Sequence, residues 1–184
     1  MSTQKTALLI VGTGFEEVEA LAPVDVLRRA GVRCTIASRE QELLVTGRNG
    51  IRVQADELIE AAGARQFDCI VVPGGPGTSA LRKDRRVLEL IRAHAGAGKL
   101  VSAICAAPTV LLDAGILPGP RHTGHASIAN ELPEMDHDLA VVVDGQVITS
   151  RGAGTAVHFG LALAAALVGQ DTADEVAASI HFPG

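Results

Sequence analysis

Short β-branched apolar runs alternate with stretches in which apolar residues recur every three or four positions, and the alternation extends along most of the chain. Thr6 to Val11 reads as a buried strand that ends at Gly12-Thr13-Gly14. A helix is expected from near Glu16 to Ala30, with Val18, Leu21, Ala22, Val26 and Leu27 on roughly one face and Gly31 as its stop. Pro23 lies inside that pattern and is expected to kink or delay it. Val32 to Ser38 is the second strand, and Leu43 to Val53 reads as a hairpin about Gly47-Arg48-Asn49-Gly50 at the sheet edge. Cys69 to Val72 is a further buried strand, ending in the sharp loop Pro73-Gly74-Gly75-Pro76-Gly77. Val87 to Ala97 reads as a helix closed by Gly98, and Leu100 to Ile104 as a strand running into Cys105 and a helix over Pro108 to Ala114. Ala140 to Val143 and Val147 to Thr149 flank the hairpin signal Asp144-Gly145. Helices over about Thr155 to Val168 and Ala173 to Ile180 follow.

Strand-helix alternation at this density implies an α/β fold, a mostly parallel sheet with helices on both faces and a small edge hairpin. In such sheets ligands bind beyond the carboxyl ends of the strands, so Gly12 to Glu19, Pro73 to Gly77 and Ile104 to Pro108 are the loops of interest. The length of 184 residues suits a single domain, expected to span residues 1–184. With four Phe and no Trp or Tyr, the core must come from Val, Leu, Ile and Ala.

Charge and cysteine usage narrow the function classes. The formal net charge is −5 with no basic block, and stacking aromatics are scarce, so nucleic acid is not expected as a partner. Three cysteines without a CxxC spacing argue against a disulfide framework or a zinc site, and reduced thiols in a cytoplasmic setting are the simpler reading. The apolar run Ala7 to Val11 is too short for a signal-peptide core. Phe159 to Val168 is about half the length needed to cross a bilayer, so no membrane partner is expected. His122 and His125 are close in sequence but lack a nameable third ligand, so no metal is expected. Pro73 to Gly77 lacks the lysine of a P-loop and the spacing of a dinucleotide loop, so no cofactor is expected.

Cys105 is the leading chemical candidate. A strand that turns into a helix within one or two residues projects the residue at the turn clear of the sheet, and Ala103, Ala106 and Ala107 are small enough to permit that turn. Pro108 fits a first-turn position, so the thiol would lie near a helix N-terminus, which favours thiolate and can hold an oxyanion. Cys34 and Cys69, each inside an apolar strand, read as buried structural thiols. Glu16, Glu17 and Glu19 share a first helical turn, ordinary by itself for dipole and capping reasons. Gly74-Gly75 supplies backbone able to approach a substrate closely, as a plain tight turn also would.

Gly14-Phe15-Glu16-Glu17-Val18-Glu19, Val72-Pro73-Gly74-Gly75, Ala103-Ile104-Cys105-Ala106-Ala107-Pro108 and Thr149-Ser150-Arg151-Gly152-Ala153-Gly154-Thr155 together resemble, in order, the motifs of the DJ-1/ThiJ/PfpI superfamily, closest to the DJ-1 and bacterial YajL branch. The likeness runs from about Lys5 to Ile180. It implies a flavodoxin-like three-layer sandwich, usually a homodimer, with Cys105 as nucleophile and Glu19 as a protonated glutamate hydrogen-bonded to the thiolate. It further implies that the backbone N–H groups of Gly74, Gly75 and Ala106 form an oxyanion site, and that Arg48 and Arg151 line the pocket or the dimer seam. His125 falls where DJ-1 carries a histidine beside the cysteine, although it also reads as a solvated loop residue. The implied activity is cofactor-free glyoxalase or deglycase chemistry on small reactive aldehydes or glycated adducts, with a redox-responsive stress protein or chaperone as the alternative. Ala106, where the peptidase branch has histidine, and Glu19, where isonitrile hydratases have aspartate, lower those two readings.

Overall fold

The computed structural model describes residues 4–183. In chain order the first elements are β1 (Thr6–Val11), α1 (Glu17–Arg29), β2 (Arg33–Ser38), β3 (Leu44–Thr46), β4 (Arg52–Gln54), β5 (Glu57–Leu58) and α2 (Ile59–Gly63). The middle of the chain forms β6 (Cys69–Val72), α3 (Thr78–Leu81), α4 (Arg85–Gly96), β7 (Leu100–Ile104) and α5 (Pro108–Asp113). The elements β8 (Val141–Asp144), β9 (Val147–Ser150), α6 (Ala156–Val168) and α7 (Gln170–Ser179) complete it.

The main sheet has the order β5-β2-β1-β6-β7-β9-β8, parallel throughout except for the antiparallel β8 edge. Strands β3 and β4 pair as a separate small hairpin sheet, inserted between β2 and β5. Because side chains alternate across a strand, β1 sends Ala7, Leu9 and Val11 to one face and Leu8 and Ile10 to the other. The first face is covered by α1, α6 and α7 through residues such as Leu27, Leu163 and Val176, and the second by α2, α4 and α5 through Ile59, Ile91 and Leu111. This is the flavodoxin-like three-layer sandwich.

Helix α1 departs from expectation in two ways. Of the predicted face, Val26 and Leu27 are buried together with Ala20, Pro23 and Val24, while Val18 and Leu21 are 50% and 36% exposed. The apolar side chains of this helix therefore cover more than one face, and α6 packs against the one that carries Pro23 and Val26. Pro23 does not break the helix. Proline removes one bond, from its own nitrogen to the Glu19 carbonyl, and Gly160 of α6 leaves room there: a Cβ at Gly160 would lie 3.0 Å from Pro23 Cα. The elements β5, α2 and α3 have two, five and four residues, too short to show a hydrophobic period.

Candidate active site

Chain direction across the sheet reverses between β1 and β6, the switch point at which α/β sheets bind ligands. The loops after β1, β6 and β7 meet there.

Cys105 follows the last residue of β7 and adopts φ 65, a left-handed conformation that a non-glycine residue holds at a cost of about 1–3 kcal/mol. Two backbone bonds fix it. Cys105 N–H donates to Ser150 O at 3.0 Å, and Cys105 O accepts from His125 N–H at 2.8 Å. The left-handed turn lifts the side chain off the strand, as the small neighbours predict, and α5 opens at Pro108. The thiol is half-buried, and the N–H groups of Gly75 and Ala106 face its sulfur.

Helix α1 supplies the partner. Glu16 caps it, its Oε2 accepting Glu19 N–H at 2.7 Å. Glu19 lies one turn in, 2% exposed, and its carboxyl faces the Cys105 thiol. Its Oε2 accepts Gly74 N–H at 3.0 Å. Glu17, 3% exposed, holds the hairpin instead: its carboxylate accepts Asn49 N–H at 2.8 Å and the Asn49 side-chain amide at 3.0 Å. Three adjacent carboxylates thus do three different things, which sequence spacing did not separate.

The electrostatics reverse one expectation. Burial, then the Glu19 carboxylate, push the Cys105 thiol up to about 12, against the weaker pull of the Ala106 and Gly75 N–H groups. The helix terminus expected to lower it begins three residues on, at Pro108, and does not outweigh a carboxylate in a closed site. Burial also raises Glu19, with Glu16 adding to it, while the Cys105 hydrogen bond, Gly74 N–H and the Arg48 charge pull it down. The pair therefore resists carrying two negative charges at once.

The structure brings Cys105, Glu19, Gly74, Gly75 and Ala106 together, with one change of role: the Gly74 N–H is taken by Glu19, leaving Gly75 and Ala106 as the donors facing sulfur. Gly74 has no space for a side chain, since a Cβ there would lie 2.6 Å from Glu19 Oε2 and 2.7 Å from Cys105 Cβ. His125 is exposed, its Nδ1 paired with Ser127 Oγ at 2.9 Å, yet its ring edge borders the site: Glu19 Oε1 and His125 Cδ2 lie 3.8 and 3.9 Å from the Cβ position of Gly152. Arg48 is exposed, its backbone N–H bonded to Phe15 O at 2.8 Å and its charge felt at Glu19. Arg151 is exposed and reaches only Asp138 O, at 3.5 Å, so it stays outside the Cys105 cluster. His122 is buried with Nδ1 on Pro120 O at 2.8 Å. Among the described residues no group of three His, Cys, Asp or Glu is placed to hold a metal ion. Sequence reading missed Gly152 and a cavity of about 430 Å³ whose wall includes Gly75, Thr78, Arg82, Ala106 and Thr109.

A glutamate-paired cysteine at a strained turn after a central parallel strand defines a class, and residues 5–166 match the model of the DJ-1/PfpI family. The chain belongs to that family. It is 38% identical over 178 residues to protein dj-1beta of Drosophila melanogaster, covering 94% of this chain and 95% of the relative. It is 35% identical over 175 residues to the glutathione-independent glyoxalase DJR-1.2 of Caenorhabditis elegans, covering 93% of each. Among solved structures, oxidized Toxoplasma gondii DJ-1 superposes with a TM-score of 0.94 at 32% identity, covering 98% of this chain and 100% of that one. Among the described residues no helix is long and apolar enough to cross a membrane.

Proposed function

We propose that this protein is a cofactor-independent, cysteine-dependent enzyme that converts small reactive carbonyls, with methylglyoxal as the type substrate, to hydroxy acids. The observation that carries the reading is the Glu19 carboxyl facing Cys105 at a left-handed strand end, the two side chains meeting over Gly74, with two backbone N–H groups turned toward the sulfur. The glyoxalase name of the nematode relative, at 35% identity, supports the substrate class.

The chemistry turns on one shared proton. Opposite an ionised Glu19 the thiol is held protonated. With the proton on Glu19, the repelling charge is gone and the carboxyl donates to sulfur, while Gly75 and Ala106 N–H groups still stabilise thiolate. The thiolate adds to the aldehyde carbon, and the oxygen formed takes the Glu19 proton to give a hemithioacetal. Carboxylate Glu19 then removes the C1 proton and, through an enediol, a proton returns at C2, leaving a thioester. Water hydrolyses it to lactate and free Cys105, so the substrate gains one water and no external oxidant is consumed. His125, at the rim beside Gly152, is placed to exchange protons with Glu19 or with solvent. Glycated adducts that present the same carbonyl fit the same route. The same reading carries a cytoplasmic, single-domain protein and a homodimer, in which a second copy covers exposed Val18, Leu21 and Ile51 near the Glu17-held hairpin.

The test is lactate formation from methylglyoxal without glutathione or metal, by wild type, Cys105→Ala and Glu19→Ala. Turnover by wild type and its loss in both variants is expected. Aldehyde consumption that stops at one per thiol, with no lactate, overturns the reading. It would favour a second one, a redox-responsive protein whose half-buried thiolate is oxidised by peroxide to sulfenic and then sulfinic acid, each step reducing one peroxide, with the new oxygens held by the Gly75 and Ala106 N–H groups.

A further inference from the structure

Gly75 and Ala106, the two residues whose N–H groups face Cys105 Sγ, share a second feature. The carbonyl of each is gripped by a threonine hydroxyl three residues further on. Thr78 Oγ1 donates to Gly75 O at 2.7 Å, and Thr109 Oγ1 donates to Ala106 O at 2.7 Å. The same carbonyls accept the backbone N–H groups of the same threonines, at 3.1 and 3.2 Å. Both threonines are buried, 4% and 2% exposed, so neither hydroxyl has bulk water as an alternative partner.

One such bond in a first helical turn is ordinary. Here two arise independently, one in the loop after β6 and one after β7, on the two residues that turn an N–H toward the sulfur. A residue held at its carbonyl has both backbone torsions constrained, and its N–H direction follows. Gly75 needs this most: at φ +94 without a Cβ, nothing intrinsic keeps it in that conformation. Ala106 directly follows the strained Cys105, where relaxation of the turn would swing its N–H away.

We propose that Thr78 and Thr109 are positioning residues whose hydroxyls aim the Gly75 and Ala106 N–H donors at Cys105 Sγ. The proposal rests on Cys105 as the reacting atom, but not on the identity of the substrate. Ser79 provides an internal control. Its hydroxyl donates to Pro76 O at 3.1 Å in the same loop, yet proline has no N–H to aim.

The experiment follows alkylation of Cys105 by iodoacetamide as a function of pH, by intact mass, in Thr78→Val, Thr109→Val, the corresponding Thr→Ser variants and Ser79→Ala. Lactate formation is measured in parallel. Valine keeps the shape and deletes the hydroxyl. Each valine variant is expected to slow alkylation at neutral pH by roughly 3- to 10-fold, less than outright removal of an oxyanion donor, and to move the pH midpoint upward. Serine restores both, and Ser79→Ala changes neither. A midpoint equal to wild type in both folded valine variants overturns the proposal, as does an equal shift in Ser79→Ala. If a valine variant does not fold, an unchanged Thr→Ser midpoint together with the other threonine's valine shift still supports the proposal, and the absence of that shift overturns it. Shifted midpoints in a protein that makes no lactate uphold the positioning role while the carbonyl reading falls.

Discussion

Cys69 lies on β6 and Cys105 just past the end of the neighbouring strand β7, and both thiols are pushed up to about 12. The routes differ. Cys69 is wholly enclosed by the sheet and its helices, and burial dominates; its side-chain hydrogen-bond partner is Ser102 Oγ, 3.8 Å away, which cannot take up a proton at ordinary pH. Cys34, 5% exposed, is raised in the same manner. Cys105 stands past the end of its strand, where burial is partial and a carboxyl faces it. A raised thiol therefore does not by itself mark an inert one. What separates the two is whether a neighbouring group can accept the proton and whether donors stand ready for the charge left behind.

The largest test of that contrast is selective alkylation of the native protein. Cys105 is expected to react with iodoacetamide at least about 1,000-fold faster than Cys34 or Cys69, because the latter react only through opening of the core. Peptide mapping after timed exposure would measure this, and comparable labelling of all three would erase the distinction. The next test changes the neighbour. Glu19→Gln keeps an oxygen for Gly74 N–H and an N–H₂ for sulfur but cannot relay a proton, so lactate formation should fall by about 100-fold or more. Stability should move the other way. Glu19 is raised in the folded state, so what it contributes is complete below its ordinary value of 4.5 and is lost as pH rises through the raised one. A neutral amide escapes that loss, so the variant's thermal midpoint should gain on wild type as pH rises through the raised value. Retained turnover would remove Glu19 from the chemistry.

Much of this site was legible in the chain, and the remainder has physical causes. Ala103-Ile104-Cys105-Ala106-Ala107-Pro108 announces a strand passing into a helix through small residues, and β7, Cys105 and α5 fall where that pattern puts them. The Asp144-Gly145 signal likewise marks the β8-β9 hairpin. The division of labour among Glu16, Glu17 and Glu19 was not legible, because it depends on a hairpin more than 30 residues away that only folding brings over α1. The same is true of Gly74: a sequence shows a glycine pair, but not that one N–H serves a carboxylate and the next a thiol. On α1, Val26 and Leu27 are buried as the period predicts, but Val18 and Leu21 are apolar yet exposed, because periodicity cannot tell a core stripe from a surface one.

The smallest effect concerns Cys69 itself and has a sign that changes with pH. In Cys69→Ala the sulfur is lost from a filled core, which should cost about 1 kcal/mol at pH 7. The wild-type thiol binds its proton more tightly folded, at about 12, than unfolded, at its ordinary 9.0. Its stabilisation is therefore complete below pH 9.0 and declines as pH rises toward 12, while the alanine variant has no such proton to lose. Titration of lysines and of the other two cysteines is common to both proteins and cancels in the difference. The variant should accordingly be the less stable at pH 7, match wild type near about pH 10, and become the more stable above it. Urea unfolding followed by circular dichroism across that range would read the crossing. A stability difference that stays constant with pH would mean that Cys69 is no more shielded than an exposed thiol, and would collapse the contrast with Cys105 from its buried side.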